Sequence, residues 1–179
     1  IKTLILTGDA DQLQLVDEKT SLLMYTGFGD MRTYDPAGVA EKYDVLGPDY
    51  VAEIKALEGD SSDNIPGVRG VGPKTARVLM EHFGNIDEMY ARLDEVKDLK
   101  LRGAASVHSK LEAGREAAEL SRDLATVRDQ LDVDLSLDDV RVVSPYRAEL
   151  VELAEELEMS RMLSRFRDLT PGADAVDAA

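Results

Sequence analysis

The sequence contains no cysteine and only 2 histidines. The lack of cysteine excludes disulfide frameworks, thiolate zinc sites and cysteine nucleophiles, and it fits a reducing cytoplasm. With so little histidine, we do not expect a catalytic site centred on imidazole. Carboxylates and basic residues are therefore the first candidates for functional chemistry.

Long apolar runs are also missing. None approaches the roughly 20 residues that a membrane-spanning helix needs, and the N-terminus lacks the pattern of a signal peptide. We therefore expect a soluble chain. With 179 residues, of which 44% are hydrophobic, it can form one domain or two small ones with a real core. It begins without Met inside a strand-like run, which we interpret as a segment of a larger protein.

An excess of basic residues is absent as well, since 36 acidic residues outnumber 21 basic ones and give a net charge of −15. Such a chain would as a whole repel a polyanion. The basic residues are unevenly distributed, however. Residues 64–82 and residues 92–115 each carry a local excess of basic over acidic residues. A local contact with nucleic acid is therefore compatible with the acidic composition.

The first part of the sequence predicts an α/β arrangement. Residues 1–7 contain the short apolar run Leu4-Ile5-Leu6 and end at a glycine, which is typical of a buried strand. Residues 21–26 and 31–34 predict a hairpin of two short strands. Asp35-Pro36 has the order of an N-cap and a first helical residue, so we expect a helix from there to about residue 43.

Beyond Gly47-Pro48, which starts a second helix ending near residue 57, the pattern becomes helical. Spacing of i, i+3, i+4 and i+7 predicts two stripes that face a core: Ala76, Leu79, Met80 and Phe83, and then Leu150, Leu153, Ala154 and Leu157. The other predicted elements are helices over residues 86–96, 103–113 and 116–120, a loop or extended segment over 132–143, and a tail or linker over 170–179.

Two pairs of aspartates are candidate metal ligands. Asp9 and Asp11 follow the first strand, at the edge where α/β sheets bind ligands, and Asp60 and Asp63 are spaced to meet on one side of a helical turn. A hard cation such as Mg²⁺ prefers oxygen ligands and would offset the repulsion among clustered carboxylates. The alternative is that Asp60 only caps a turn and Asp63 a helix, while Asp9 and Asp11 lie in an exposed loop.

A glycine-rich segment from Gly67 to Thr75 follows the second pair. Its glycines permit close approach of the backbone, and Pro73 is expected in the first turn of a helix whose free amides form an anion site beside Lys74. Val68 and Val71 are expected to anchor this hairpin in the core. The alternative is a tight turn that only connects two helices.

Two other functional patterns fit poorly. An EF-hand would need a third oxygen ligand and a glycine where Leu13 and Gln14 stand. A Walker A loop would need Lys directly after the second glycine, but Pro73 intervenes before Lys74. We therefore set aside calcium sensing and regard a nucleotide triphosphate site as the least favoured interpretation.

Three segments together resemble the 5′-nuclease (flap endonuclease) family, and most closely the 5′→3′ exonuclease domain of bacterial DNA polymerase I. Residues 7–15, with Thr7-Gly8-Asp9 and Asp11, are similar to the metal motif at the end of a strand in that family. Residues 59–76 resemble its second aspartate motif and helix-hairpin-helix, and residues 121–127 resemble a further segment. The similarity extends from the first residue to about Phe166.

The resemblance implies an α/β, mostly helical fold, in which the end of a PIN-like sheet precedes a helix-hairpin-helix subdomain of the SAM-like type. It places the nuclease core in residues 1–46, the helical DNA-binding subdomain in 47–169 and a tail or linker in 170–179. It also implies a bacterial enzyme of replication and repair, in the cytoplasm at the nucleoid, that hydrolyses phosphodiesters in flapped or nicked DNA.

The resemblance further implies site residues and cofactors. The implied ligands of two Mg²⁺ or Mn²⁺ ions are Asp9, Asp11, Asp60 and Asp63. The implied contacts with the duplex backbone are Arg69, Gly70, Gly72, Lys74, Thr75 and Arg77. A K⁺ ion at the hairpin is a further expectation.

Two departures from the family pattern matter. Ala10 stands where the family has Lys, and the remaining acidic ligands belong to a preceding half of the domain. We therefore expect this chain alone to be inactive, with the missing half, a following polymerase and DNA as its partners. A non-catalytic helix-hairpin-helix module that binds duplex DNA is the alternative function.

Overall fold

The computed structural model describes residues 1–27, 29–44, 46–141 and 148–169. The chain divides into two compact units, residues 1–129 and residues 130–179. Among the described residues, the first unit contains a small sheet followed by six α-helices, and the second contains two α-helices. The predicted α/β, mostly helical fold class is confirmed, whereas the predicted domain boundaries stay a prediction.

The sheet has three strands in the order β1 (Thr3–Thr7), β2 (Thr20–Gly27) and β3 (Asp30–Tyr34). Strands β1 and β2 are parallel and are joined by a short crossover that contains the 3₁₀ helix Ala10–Leu15. Strand β3 returns antiparallel to β2, which confirms the predicted hairpin.

Strand β1 differs from its prediction in burial. Leu4 and Leu6 are 60% and 69% exposed, and only Ile5 packs against the core. Because β1 lies at the edge of the described sheet and side chains alternate between faces, Leu4 and Leu6 share a face that no described residue covers. The predicted strand exists, but the prediction that it is buried is wrong.

The helices of the first unit begin close to the predicted starts. Asp35 caps α1 by accepting a hydrogen bond from the amide of Gly38, and Pro36 is the first helical residue. The six helices are α1 (Pro36–Lys42), α2 (Val51–Glu58), α3 (Pro73–Phe83), α4 (Ile86–Ala91), α5 (Ala104–Ala113) and α6 (Arg115–Ala125). Short 3₁₀ helices occupy Pro48–Tyr50 and Leu93–Asp98.

One predicted helix is divided in two. Residues 86–96 were expected to be continuous, but Arg92 leaves helical conformation with φ −122° and ψ 35°. Its amide donates to the carbonyls of Glu88 and Met89, which closes α4 before the 3₁₀ helix begins. The prediction of one helix is therefore wrong in its length.

A single core joins the sheet to the helices of the first unit. Fully buried side chains come from the first 3₁₀ helix, β2, α2 and α3, among them Leu13, Leu22, Ile54 and Leu79. All four residues of the predicted α3 stripe are buried, which confirms it.

In the second unit, most of the predicted apolar stripe is exposed. Its helices are α7 (Ala148–Glu156) and α8 (Ser160–Leu169). Ala154 is buried, but the other three residues of the predicted stripe, Leu150, Leu153 and Leu157, are 41 to 58% exposed. Two short helices bury only the small side chain between them, so the core prediction is wrong for these leucines.

The remaining predictions concern loops and the tail. Residues 132–141 contain no helix or strand, as predicted, while Val142 and Val143 lie outside the described residues. The predicted tail, residues 170–179, also lies outside them. Among the described helices, none combines the length and the apolar character that crossing a membrane requires.

Candidate metal centre and nucleic-acid interface

Three of the four predicted metal ligands come together. Asp11, Asp60 and Asp63 each offer a carboxylate oxygen, and these three oxygens lie within 4.8 Å of one another. Asp11 belongs to the 3₁₀ helix after β1, and the other two lie in the loop after α2. An all-carboxylate donor set of this size fits a hard divalent cation such as Mg²⁺ or Mn²⁺.

The loop from residue 60 to residue 65 positions Asp60 and Asp63. It is closed by an antiparallel bridge in which the amides of Asp60 and Ile65 each donate to the other residue's carbonyl, at 2.9 and 2.8 Å. The residues between them form turns and not the helical turn that we predicted. The bridge brings the two carboxylates to one side by a different route.

Two glycines permit this closed loop. Gly59 and Gly67 have φ of +76° and +60°, and their backbones lie against each other. A Cβ atom on Gly59 would stand 2.7 Å from the carbonyl oxygen of Ile65, and one on Gly67 would overlap the backbone nitrogen of Gly59. Both positions therefore require glycine.

Asp9 lies apart from the other three carboxylates. It is exposed and caps the 3₁₀ helix, with Oδ1 accepting a hydrogen bond of 2.8 Å from the amide of Asp11. In this arrangement Asp9 orients the turn that carries Asp11. Its role as a metal ligand stays a prediction.

Sequence reasoning missed a lysine inside the carboxylate group. Lys55 of α2 is only 7% exposed, and its Nζ contacts Asp11 Oδ1 and donates to Asp60 Oδ2 at 2.6 Å. This hydrogen bond, with two further bonds from Ser62, lowers the pKa of Asp60 to about 2. The available signal was a single lysine among the apolar residues of α2.

The third family segment supports both aspartate motifs. Ser121 of α6 is fully buried, and its Oγ accepts a hydrogen bond of 2.9 Å from the amide of Gly67. Gln14 donates to the carbonyls of Asp11 and Ala125, at 2.9 and 2.8 Å, and accepts a bond from the amide of Val127. The C-terminal half of α6 thus holds the two motifs in place.

The glycine hairpin lies between this loop and α3. Val68 and Val71 are buried, which confirms their predicted anchoring role. Pro73 is the first residue of α3, as predicted, and its N-cap is Gly72, so no side chain covers the amides of the first turn. The helix N-terminus is therefore open to an anion.

The candidate DNA contacts fall into two groups. Arg69, Gly70 and Lys74 are exposed, and Gly72 and Thr75 are partly exposed, so all five lie on the accessible part of the hairpin and of the first turn of α3. Arg77 differs, because its guanidinium pairs with Asp44 and lies 5.9 Å from the centre of the Tyr43 ring. It already has an intramolecular role, so its contact with DNA is the least supported of the six predictions.

Sequence comparison shows to which protein family this chain belongs. The family profile described as 5′-3′ exonuclease, C-terminal SAM fold, matches residues 46–148. The chain belongs to this 5′-3′ exonuclease family. The resemblance inferred from the motifs is confirmed, and the matched range contains the Asp60–Asp63 loop, the hairpin and the Ser121 segment.

Curated relatives of this 5′-3′ exonuclease chain are bacterial DNA polymerases I. The protein from Pseudomonas aeruginosa is 42% identical over 161 residues, which cover 89% of this chain and 17% of that protein. The thermostable protein from Thermus thermophilus is 38% identical over 175 residues, which cover 98% of this chain and 19% of that protein. The chain thus spans less than a fifth of the length of these relatives.

Solved structures have the same fold. The 5′-exonuclease of bacteriophage T5 with bound zinc superimposes with a TM-score of 0.56 at 27% identity, covering 69% of this chain and 42% of that one. The catalytic core of Rad2 in complex with a DNA substrate gives a TM-score of 0.54 at 16% identity, covering 92% and 55%. The first neighbour is a metal-bound nuclease, and the second is similar in fold alone.

Proposed function

We propose that this chain carries part of the active site and a DNA-binding surface of a structure-specific 5′→3′ exonuclease or flap endonuclease. The observation that carries the proposal is the convergence of Asp11 with Asp60 and Asp63, which lie in a loop that continues directly into the glycine hairpin. One part of the loop suits a divalent cation, and the next suits a phosphate. Such a pair is what hydrolysis of a nucleic-acid backbone requires.

In this proposal Asp11, Asp60 and Asp63 hold divalent cations, with Asp9 at the edge of the group. When bound, such ions polarise the scissile phosphate and activate water. Two ions need more ligands than three clustered carboxylates provide, so a two-metal reaction requires further carboxylates. We therefore expect this chain alone to bind metal and DNA without cleaving it.

The hairpin and the start of α3 hold the substrate. The uncovered amides of the α3 N-terminus donate hydrogen bonds to a phosphate oxygen, and Lys74 adds a positive charge beside them. These contacts hold the backbone of a duplex without reading its sequence. The proposal includes a K⁺ ion at the hairpin carbonyls and, because the relatives are DNA polymerases I, a neighbouring polymerase domain.

Titration calorimetry with Mn²⁺ tests the metal site. We expect saturable binding that Asp60→Asn and Asp63→Asn each weaken at least tenfold, because each substitution removes one negative ligand. Asp98→Asn, at an exposed position at the end of a 3₁₀ helix, is the matched control and leaves binding unchanged. Equal Mn²⁺ affinity in all of these variants would refute the metal site.

A non-catalytic module that binds duplex DNA is the second candidate. The ion pairs of Lys55 favour it, because they already offset the charge of Asp11 and Asp60 without a metal. This alternative predicts that duplex affinity is the same with Mn²⁺ and with a chelator, and that Lys74→Glu abolishes it. Duplex binding that requires Mn²⁺, together with the weakened Mn²⁺ binding of the two aspartate variants, would favour the nuclease over this alternative.

A further inference from the structure

An open cavity lies beside the glycine hairpin. It has a volume of about 360 Å³ and is formed by the hairpin, α5 and Gly114, which follows α5. Its lining residues are Arg69, Ser106, Ser109, Lys110, Ala113 and Gly114. Of these, only Arg69 belongs to the DNA contacts considered above.

Two contacts fix α5 against the hairpin and give the cavity its shape. Lys110 Nζ donates to the carbonyl of Gly70 at 3.1 Å. At the other end, Gly114 packs so closely that an added Cβ would stand 2.8 Å from a methyl group of Val68. Because Val68 is itself buried, the wall of the cavity rests on the core.

The charge of the cavity is positive in a strongly acidic chain. Arg69 and Lys110 are exposed, and within the described residues neither forms an ion pair with a carboxylate. The other lining side chains are two serines and an alanine, so no acidic group lines the cavity. By contrast, Arg77, Arg115 and Arg122 of the same unit are all paired with acidic residues.

The donors suit a phosphodiester. One N–H of the Lys110 ammonium is used on Gly70, which leaves two donors for phosphate oxygens. The guanidinium of Arg69 can bind a phosphate through two parallel hydrogen bonds, and the hydroxyl of Ser106 can donate as well. Cationic and hydroxyl donors of this kind bind phosphate oxygens, so the cavity selects for backbone and not for sequence.

We propose that the Arg69–Lys110 cavity is a second phosphodiester subsite, which binds the backbone of the same duplex that the hairpin binds. This inference rests on the proposed function and extends the interface from the hairpin to α5. Lys110 then has two roles, since it fixes the hairpin through Gly70 and offers charge to the DNA. The acidic surface elsewhere confines the duplex to this side of the first unit.

Fluorescence anisotropy with a labelled flap duplex tests the subsite, with circular dichroism melting to monitor folding. We expect Lys110→Ala to weaken DNA binding about five- to tenfold and to reduce the slope of log affinity against log salt by about one. Lys19→Ala, at an exposed position before β2, is the matched control and leaves affinity within about twofold.

A second variant separates a phosphate contact from a structural role of Lys110. Ser106→Asp keeps Lys110 but adds a negative charge to the cavity, and we expect it to weaken binding at least fivefold. If Lys110→Ala weakens binding and Ser106→Asp does not, Lys110 acts through the hairpin and the subsite is refuted.

The same experiment distinguishes the subsite from the proposed function. If both cavity variants bind like the wild type while Lys74→Ala binds more weakly, the subsite is wrong and the hairpin interface stands. If the wild-type chain does not bind the flap duplex at all, the proposed function itself fails.

Discussion

The loop of residues 60–65 and the glycine hairpin are neighbours in sequence, but they differ in whether their charged groups have partners within the protein. At the loop, Asp60 and the neighbouring Asp11 of the 3₁₀ helix are already paired with the buried Lys55. In the hairpin, Arg69 and Lys74 are exposed, and the amides at the start of α3 have no side-chain cap. The comparison indicates that the loop is preorganised by its own contacts, whereas the hairpin presents its donors to a ligand.

The largest loss of stability is expected for Gly67→Ala, which disrupts the packing of the loop against the hairpin. Because the new Cβ would overlap the backbone of Gly59 at a φ of +60°, we expect a loss of about 3 kcal/mol in unfolding free energy. Gly84→Ala is the matched control: its φ is +86°, but its Cβ would meet nothing within 4 Å, so the loss is about 1 kcal/mol. Urea denaturation measures both. Equal losses would show that the two motifs do not pack as described.

The next largest effect concerns the charge balance of the loop. Lys55→Met leaves Asp11 and Asp60 without their common partner, so we expect the unfolding free energy to fall by about 2 kcal/mol in the absence of divalent ions. Added Mn²⁺ then raises the melting temperature more in this variant than in the wild type, because the ion replaces the lost charge. Differential scanning fluorimetry with and without Mn²⁺ measures both changes.

The control for this prediction is Lys97→Met, which removes an exposed pair with Asp94. We expect no measurable change in the melting temperature and no altered response to Mn²⁺. A Lys55→Met protein that is as stable as the wild type, with the same response to Mn²⁺, would contradict the view that the lysine balances the carboxylates.

A smaller effect concerns the support of the loop by α6. Ser121→Ala removes the buried acceptor of the Gly67 amide, and we expect a loss of about 1.5 kcal/mol. Ser109→Ala is matched in chemistry, since Ser109 and Ser121 both donate to the carbonyl four residues earlier. Ser109 is exposed, so its substitution changes the unfolding free energy very little. Similar losses in the two variants would argue against a specific role of the Ser121–Gly67 bond.

The smallest change in stability is expected at the hairpin. Lys74 is exposed and makes no ion pair within the described residues, so Lys74→Ala leaves the melting temperature unchanged. It weakens binding to flap DNA about fivefold, as expected for the loss of one phosphate contact. Anisotropy and thermal melting on the same samples measure the two effects. A destabilised variant would show that Lys74 belongs to the scaffold, as the residues of the loop do.

What sequence reasoning found correctly was mostly local. Asp35-Pro36 at the start of α1, the buried stripe of α3 and the anchoring of the hairpin by Val68 and Val71 depend on patterns within a few residues. Local spacing also predicted that the carboxylates of Asp60 and Asp63 lie close together, although the loop that joins them is a closed turn and not a helical one.

The features that sequence reasoning missed are contacts between residues that lie far apart in the chain. The contact of Lys55 with Asp11 and the pairing of Arg77 with Asp44 join residues more than thirty positions apart. No periodicity reveals such contacts, because a charged side chain gives the same pattern whether it faces water or a partner. The exposed stripe of α7 was misjudged for a related reason: spacing predicts an apolar face but not whether another element covers it.

The hydrogen bonds of Gln14 connect the end of α6 to the turn that carries Asp11, so a change in that turn can be detected at the end of α6. The Val127 amide donates to Gln14, whose own amide group holds the backbone of Asp11. Hydrogen exchange at Val127 therefore measures how often the turn of Asp11 opens. If Asp11 binds an ion as proposed, the ion holds that turn closed and slows this exchange, so occupancy of the proposed site can be followed at a residue that does not itself contribute a carboxylate.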